Sequence, residues 1–197
     1  MRTVVKELFE TVILALIIFL TLHISIQNYA VQGPSMSPTL QQRDYLIVNK
    51  LAYVHFDSHL FTKLVPFLES NGKDEKIIFP FNPPQRGDVV IFQFPRDDTR
   101  DFVKRVLAVP GDVLSVIDQQ LYVNGKLQLG VTINKHNLTN VPNQVASNTY
   151  FVIGDNRISS NDSRNWGPVP SKNIIGKAWI IFWPLDRLQK LETFYIP

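Results

Sequence analysis

In the stretch VQGPSMSPTL, residues 31–40, two serines stand among two prolines, and either hydroxyl could attack a carbonyl carbon if a base removed its proton. The chain has no cysteine, which excludes disulfides, thiolate nucleophiles and thiolate zinc sites together. Its four histidines, at 23, 55, 59 and 136, are scattered. His55 and His59 have the spacing of two ligands on one helix face, but AYVHFDSHLF carries no HExxH pattern, so solvated or packed imidazoles are the plainer reading. No metal and no cofactor is expected. The base would then be a lysine, which serves only when burial lowers its pKa far enough to leave part of it neutral.

Lys104, in DFVKRVLAVPGD, is a lysine inside an apolar strand pattern. Alternation puts Phe102, Lys104, Val106 and Ala108 on one face and Val103, Arg105, Leu107 and Val109 on the other, so one of two adjacent basic residues must point the same way as apolar neighbours. Spacing alone leaves open whether Lys104 is that residue or a surface lysine guarding an edge strand. A second serine–lysine spacing, SNGK from Ser70 to Lys73, matches S-x-x-K, but that motif needs a helical turn and Asn-Gly favours a solvated one. The stretch GDNRISSNDSRNWGPVP, residues 154–170, follows an apolar run. It is either a hydrophilic turn or a hydrogen-bonded support whose Arg and Asp residues fix a site and whose Ser orients a neutral lysine.

The elements that must position these residues follow from composition and periodicity. The chain has 197 residues, net charge +3, 13 Pro and 9 Gly. Short Val/Ile/Phe/Tyr runs between turn residues predict a mainly β domain. There is no basic run of a nucleic-acid footprint, and no nucleic-acid partner is expected. From Thr11 to Gln42 there is no Asp, Glu, Lys or Arg, and residues 8–28 are predicted to form a transmembrane anchor after a cytoplasmic stretch, 1–7. A cleaved signal peptide competes, but NYA before a cut after Ala30 lacks the small-x-small exit. Arg2 and Lys6 precede the span, whereas Arg43 is the first basic residue after it, so the N-terminus is expected in the cytoplasm and residues 29–197 on the far side of the plasma membrane. Ser35 then lies within about 25 Å of the helix end.

Strands are predicted in DYLIVNKLAYV, GDVVIFQF, DFVKRVLAV and GDVLSVID, in a hairpin turning at Asn124-Gly125, and in TYFVIGDN and IIGKAWIIFW, with a β-meander as the economical topology. Residues 56–86 read as a surface excursion and residues 113–149 as a smaller lobe.

Taken in order, the apolar N-terminal segment, GPSMSPTL, RGDVVIF, FVKRVLAVPGD, GDNRISSNDSR and the GKAWIIFWP ending resemble the type I signal peptidases, membrane-bound Ser/Lys proteases that remove signal peptides from exported preproteins. The resemblance implies the family's fold of antiparallel sheets with a smaller β lobe. It places the nucleophile on Ser35 rather than Ser37 and the general base on Lys104. It also implies that Ser160 hydrogen-bonds the lysine, that Asp155, Asp162 and Arg164 support the site, and that Met36, Leu40, Phe102 and Val103 line the first substrate pocket. Where some relatives carry a serine whose hydroxyl helps stabilise the oxyanion, this chain has Gly33, so the oxyanion is expected to rest on backbone N–H groups, that of Ser35 first. Ile158 stands where many relatives are polar. The substrate implied is a signal peptide bound as an added strand, its small residues one and three before the cut facing the enzyme. The lipid bilayer is the other expected partner. Two other classes share this pattern: a self-cleaving Ser/Lys repressor domain, which is soluble and follows a DNA-binding region, and a membrane-anchored adaptor of the same fold that has lost catalysis.

Overall fold

The computed structural model describes residues 2–53, 56–57, 77–78 and 82–193. The chain begins with helix α1, Arg2–Ser25. Over residues 6–21 its side chains point outward: Leu8, Phe9 and Phe19 are each more than 60% exposed. The hydroxyls of Thr11, Thr21 and Ser25 donate to the carbonyls of Glu7, Ile17 and Thr21, so these polar groups are satisfied within the helix itself. Among the described residues no helix is long and apolar enough to cross a membrane.

The helix ends short of residue 28, the expected limit of the anchor. The helix stops at Ser25, whose carbonyl accepts from the Lys50 N–H at 2.9 Å, and Ile26–Ala30 is strand β1. It pairs antiparallel with β2, Tyr45–Asn49, from Ile26 opposite Asn49 to Ala30 opposite Tyr45. Apolarity alone could not separate these last residues from the helix, because the ladder partner lies some twenty residues ahead.

A short pair, β3 Phe56–Asp57 with β4 Ile77–Ile78, comes before β5, Val89–Phe94, and β6, Asp97–Ala108, which form a hairpin. The rest of the 56–86 excursion up to Phe81, with the Ser70–Lys73 spacing and His59, lies outside the described residues, as does His55. Next come β7 Leu114–Ile117, β8 Gln120–Val123 and β9 Lys126–Thr132, a three-stranded sheet. This is the expected smaller lobe, turning at Asn124 and Gly125, both with positive φ. The chain returns through β10 Thr149–Ile153, the one-turn helix α2 Ser163–Trp166, β11 Val169–Pro170, β12 Ile174–Trp183 and β13 Gln189–Lys190.

The large sheet runs β1-β2-β12-β5-β6-β10-β11, with β13 also on β12. It is not a meander. The last long strand, β12, lies between β2 and β5, so its pairing joins chain segments more than eighty residues apart, a non-local choice that local turn signals do not encode. Both faces of β5 are covered. Val89 and Ile91 pack with Met36, Leu40, Leu46 and Ile181 on one side, and Val90, Phe92 and Phe94 with Tyr150, Val152 and Trp166 on the other. A third core, with Leu107, Leu121, Ile133 and Phe151, joins the small lobe to the large sheet. Opposite β10, Val106 and Ala108 face consecutive residues, Val152 and Phe151, so Leu107 is the extra residue of a bulge. The expected shared face therefore breaks: Val106 enters the second core and Ala108 the third.

Candidate active site

Ser35 sits in a loop pinned at both ends. The Val31 N–H donates to the Asp44 carbonyl at 2.8 Å, and the Arg43 N–H returns to the Val31 carbonyl at 3.0 Å. Asp44, buried, takes both branches of the Arg187 guanidinium at 2.9 Å each. Within the loop, Met36 and Leu40 are fully buried and act as its plug into the first core. Asn156 grips the serine from behind: its backbone N–H donates to the Ser35 carbonyl at 3.1 Å and its side-chain amide to the Pro34 carbonyl at 3.2 Å. The Ser37 hydroxyl turns back toward the Leu40 carbonyl.

Lys104 arrives from β6. Its Nζ lies 2.9 Å from Ser35 Oγ and 2.9 Å from the Val103 carbonyl it also donates to, and 5.3 Å from the Phe102 ring centre. The lysine is 4% exposed. Removal from water disfavours the ammonium and outweighs the carboxylates of Asp162 and Asp155, so its pKa falls from 10.5 to about 8. Alternation turns the next residue, Arg105, to the other face. There it forms a buried bidentate pair with Asp155 at 2.8 and 2.6 Å and donates to the Gly87 carbonyl at 2.7 Å. Both basic residues are buried, Lys104 beside Ser35 and Arg105 against Asp155.

The 154–164 stretch is a second brace. Asp162 accepts from both branches of Arg164 at 2.8 and 2.9 Å, from the Arg164 N–H and from the Gly154 N–H, and it caps α2. Gly154 is where the two loops touch. A Cβ there would lie 2.2 Å from Ser160 Oγ and 2.4 Å from the Ser35 carbonyl, which only glycine permits. Ser160 is thus brought to the site, yet its hydroxyl has no hydrogen-bond partner among the described residues; the implied bond to Lys104 is not made, the ammonium being engaged by Ser35 and Val103. Gly33 has φ +80, with nothing within 4 Å of an added Cβ, so its backbone rather than its space favours glycine.

A cleft of about 510 Å³ opens from Ser35 and Lys104 between residues 29–32 and the strand from Arg100 to Lys104. Phe102 and Val103 line it; Met36 and Leu40 do not. Val31, Leu46 and Ile91 complete its apolar wall. These were not singled out from sequence, since as alternating apolar residues they carry no signal beyond that of core. At the rim stands Tyr29, pushed up to about 12 by burial and by the charge and hydrogen bond of Asp101. Strand β10 pairs with β6 only over Arg105–Ala108, whereas β5 pairs along the other edge from Asp97 to Arg105. The remaining edge of β6, from Arg100 to Lys104, has no strand partner among the described residues.

A profile of the family described as "Signal peptidase, peptidase S26" matches residues 2–183. The chain belongs to the signal peptidase family. Signal peptidase I of Pseudomonas aeruginosa is 31% identical over 211 residues, covering 86% of this chain and 69% of that protein. Probable signal peptidase I-1 of Synechocystis sp. is 32% identical, covering 98% and 90%, and signal peptidase I V of Bacillus subtilis is 34% identical, covering 83% and 92%. A crystal structure of a signal peptidase I from Enterococcus faecalis V583 matches with TM-score 0.39 at 30% identity, covering 49% of this chain and 97% of that one. As a signal peptidase, the chain is a peptide hydrolase acting on the signal peptides of exported preproteins. Among the described residues no group of His, Cys, Asp or Glu could hold a metal ion.

Proposed function

We propose that this signal peptidase is a membrane-anchored serine endopeptidase in which Ser35 is the nucleophile and Lys104 the general base. The supporting observation is the 2.9 Å approach of Lys104 Nζ to Ser35 Oγ by a lysine whose burial brings its pKa near 8. Neutral Lys104 takes the Ser35 proton as Oγ bonds to the scissile carbonyl carbon. The oxyanion rests on backbone N–H groups, that of Ser35 among them. When the intermediate collapses, the C–N bond breaks and the Lys104 ammonium returns its proton to the leaving amine. Neutral again, Lys104 deprotonates a water, which hydrolyses the acyl-enzyme and frees Ser35.

The signal peptide binds extended along the unpartnered edge of β6, its alternate side chains entering the wall of Val31, Leu46, Ile91, Phe102 and Val103. That wall admits small side chains at the positions one and three before the cut. The anchor is α1, whose outward apolar side chains and internally bonded hydroxyls suit lipid, with the N-terminus cytoplasmic and the catalytic domain outside. Asp155, Asp162 and Arg164 brace the loops that hold the dyad, and Ser160 packs against Gly154 beside them. The test is processing of a preprotein by the purified full chain in detergent–lipid micelles. Ser35→Ala and Lys104→Ala should each reduce cleavage by roughly 10³-fold or more, and retained processing by either would overturn the assignment.

A further inference from the structure

A second depression of about 300 Å³ adjoins the substrate cleft at Ser160–Asn161, lined by Thr132 and Asn134 of the small lobe and by Arg157, Ser160, Arg164 and Asn165 of the 154–165 loop, among others. It shares no lining residue with the cleft; the adjacent residues Ser160 and Asn161 line one each. Its inner wall reaches the reacting serine, since Ser160 Oγ and the Ser35 carbonyl crowd the same face of Gly154. A peptide lying extended in the cleft and cut at Ser35 must continue past the serine. At about 3.3 Å per residue its second and third residues beyond the cut lie about 7–10 Å away.

The charge of this depression is not balanced from within. Asp155 is taken by Arg105 and Asp162 by Arg164, both bidentately. Arg157 is left over: it has no carboxylate within ion-pair distance among the described residues, and its guanidinium donates to the neutral Gly154 carbonyl at 3.0 Å. Its stem runs beside Gly130 of the small lobe, with Cγ 3.6 Å from where a Cβ on that glycine would stand, and both residues line the depression. Half-burial without a matched anion depresses its pKa, Asp155 and Asp162 opposing and Arg164 and Arg105 adding to the shift. The wall also holds the Ser160 hydroxyl, which has no hydrogen-bond partner among the described residues.

We propose that this depression receives the first residues of the mature half of the substrate, and that Arg157 favours a carboxylate side chain at the second or third residue after the cut. The inference rests on the signal-peptidase reading of the dyad and adds to it a site for the leaving half.

The experiment uses the full chain with synthetic peptides that are identical up to the cut and carry Asp, Gln or Lys at the second and third residues after it. For the unaltered protein, kcat/KM should favour the acidic peptide over the Gln peptide by roughly 5-fold at low salt, falling as salt rises from about 0.05 to 0.5 M. Arg157→Gln should bring the three peptides within about 2-fold of one another, whatever its overall rate. Arg157→Lys should keep part of the preference, and serves as the second variant if Arg157→Gln folds poorly. An unaltered protein that cleaves all three peptides equally, or an Arg157→Gln variant that keeps the same ratios, would overturn the inference and leave the dyad untouched. Failure to cleave any of the three would overturn the signal-peptidase reading and this inference with it.

Discussion

Burial of Lys104 has a consequence that pH exposes directly. With a pKa of about 8 in place of 10.5, about 9% of the lysine is neutral at pH 7, against about 0.03% for an unperturbed one, a gain of about 300-fold in available base. The sign is set by desolvation, which disfavours the ammonium more than the carboxylates of Asp162 and Asp155 favour it. Since kcat/KM reports ionisations of the free enzyme, it should climb about tenfold from pH 7 to 9 and flatten above. An unperturbed lysine would give about a hundredfold rise over the same interval with no plateau. The assay is steady-state cleavage of a preprotein or signal-peptide substrate across pH 6–10 at constant ionic strength, with the fold checked at each end by circular dichroism. A profile flat from pH 6 to 9, or one still rising tenfold per unit at pH 9.5, would refute the claim that a buried Lys104 supplies the base.

The same burial opposes folding while the lysine is charged. Its folded pKa is below its unfolded one, so the unfavourable contribution, up to about 3 kcal/mol, is fully present below pH 8 and fades as pH rises toward 10.5. Lys104→Met should therefore be inactive yet more stable at neutral pH by about 1–3 kcal/mol in urea unfolding, the gap narrowing by pH 10; a variant less stable than its parent would contradict this. Gly154→Ala forces a methyl against Ser160 Oγ and the Ser35 carbonyl, and displacing the nucleophile should lower kcat by about 100-fold with circular dichroism little changed. Asp155→Ala leaves the buried Arg105 guanidinium without its bidentate partner. The expected loss is about 3–5 kcal/mol in the same unfolding assay, and a change below about 1 kcal/mol would mean that this pair is not the brace described. Gly33→Ala meets open space but a φ of +80, so a modest stability loss of about 1–2 kcal/mol is expected, read as a lowered midpoint.

The candidate site was legible in the sequence to the extent that chemistry restricts residue type. Without cysteine and with scattered histidines, a serine nucleophile needs a buried lysine, and DFVKRVLAV offered Lys104 and Arg105 as the two residues to choose between. Strand alternation placed them on opposite faces, and the structure keeps that separation. The apolar runs also marked β5, β6, β10 and β12, and Asn124-Gly125 its hairpin, because period and turn chemistry are local properties of the chain.

What the tertiary structure decided is what depends on partners distant in sequence. Ile26–Ala30 leaves the helix because Tyr45–Asn49 offers a ladder, and β12 enters between β2 and β5 because the apolar faces of all three are buried together. Met36 and Leu40 anchor the serine loop in the core while Leu46 and Ile91 line the cleft, a division that depends on which side of a folded sheet faces the opening. The pKa of Lys104 belongs to the same class. The amino-acid type determines that a lysine can act as a base, but only the packing around it removes the water that would otherwise keep it charged.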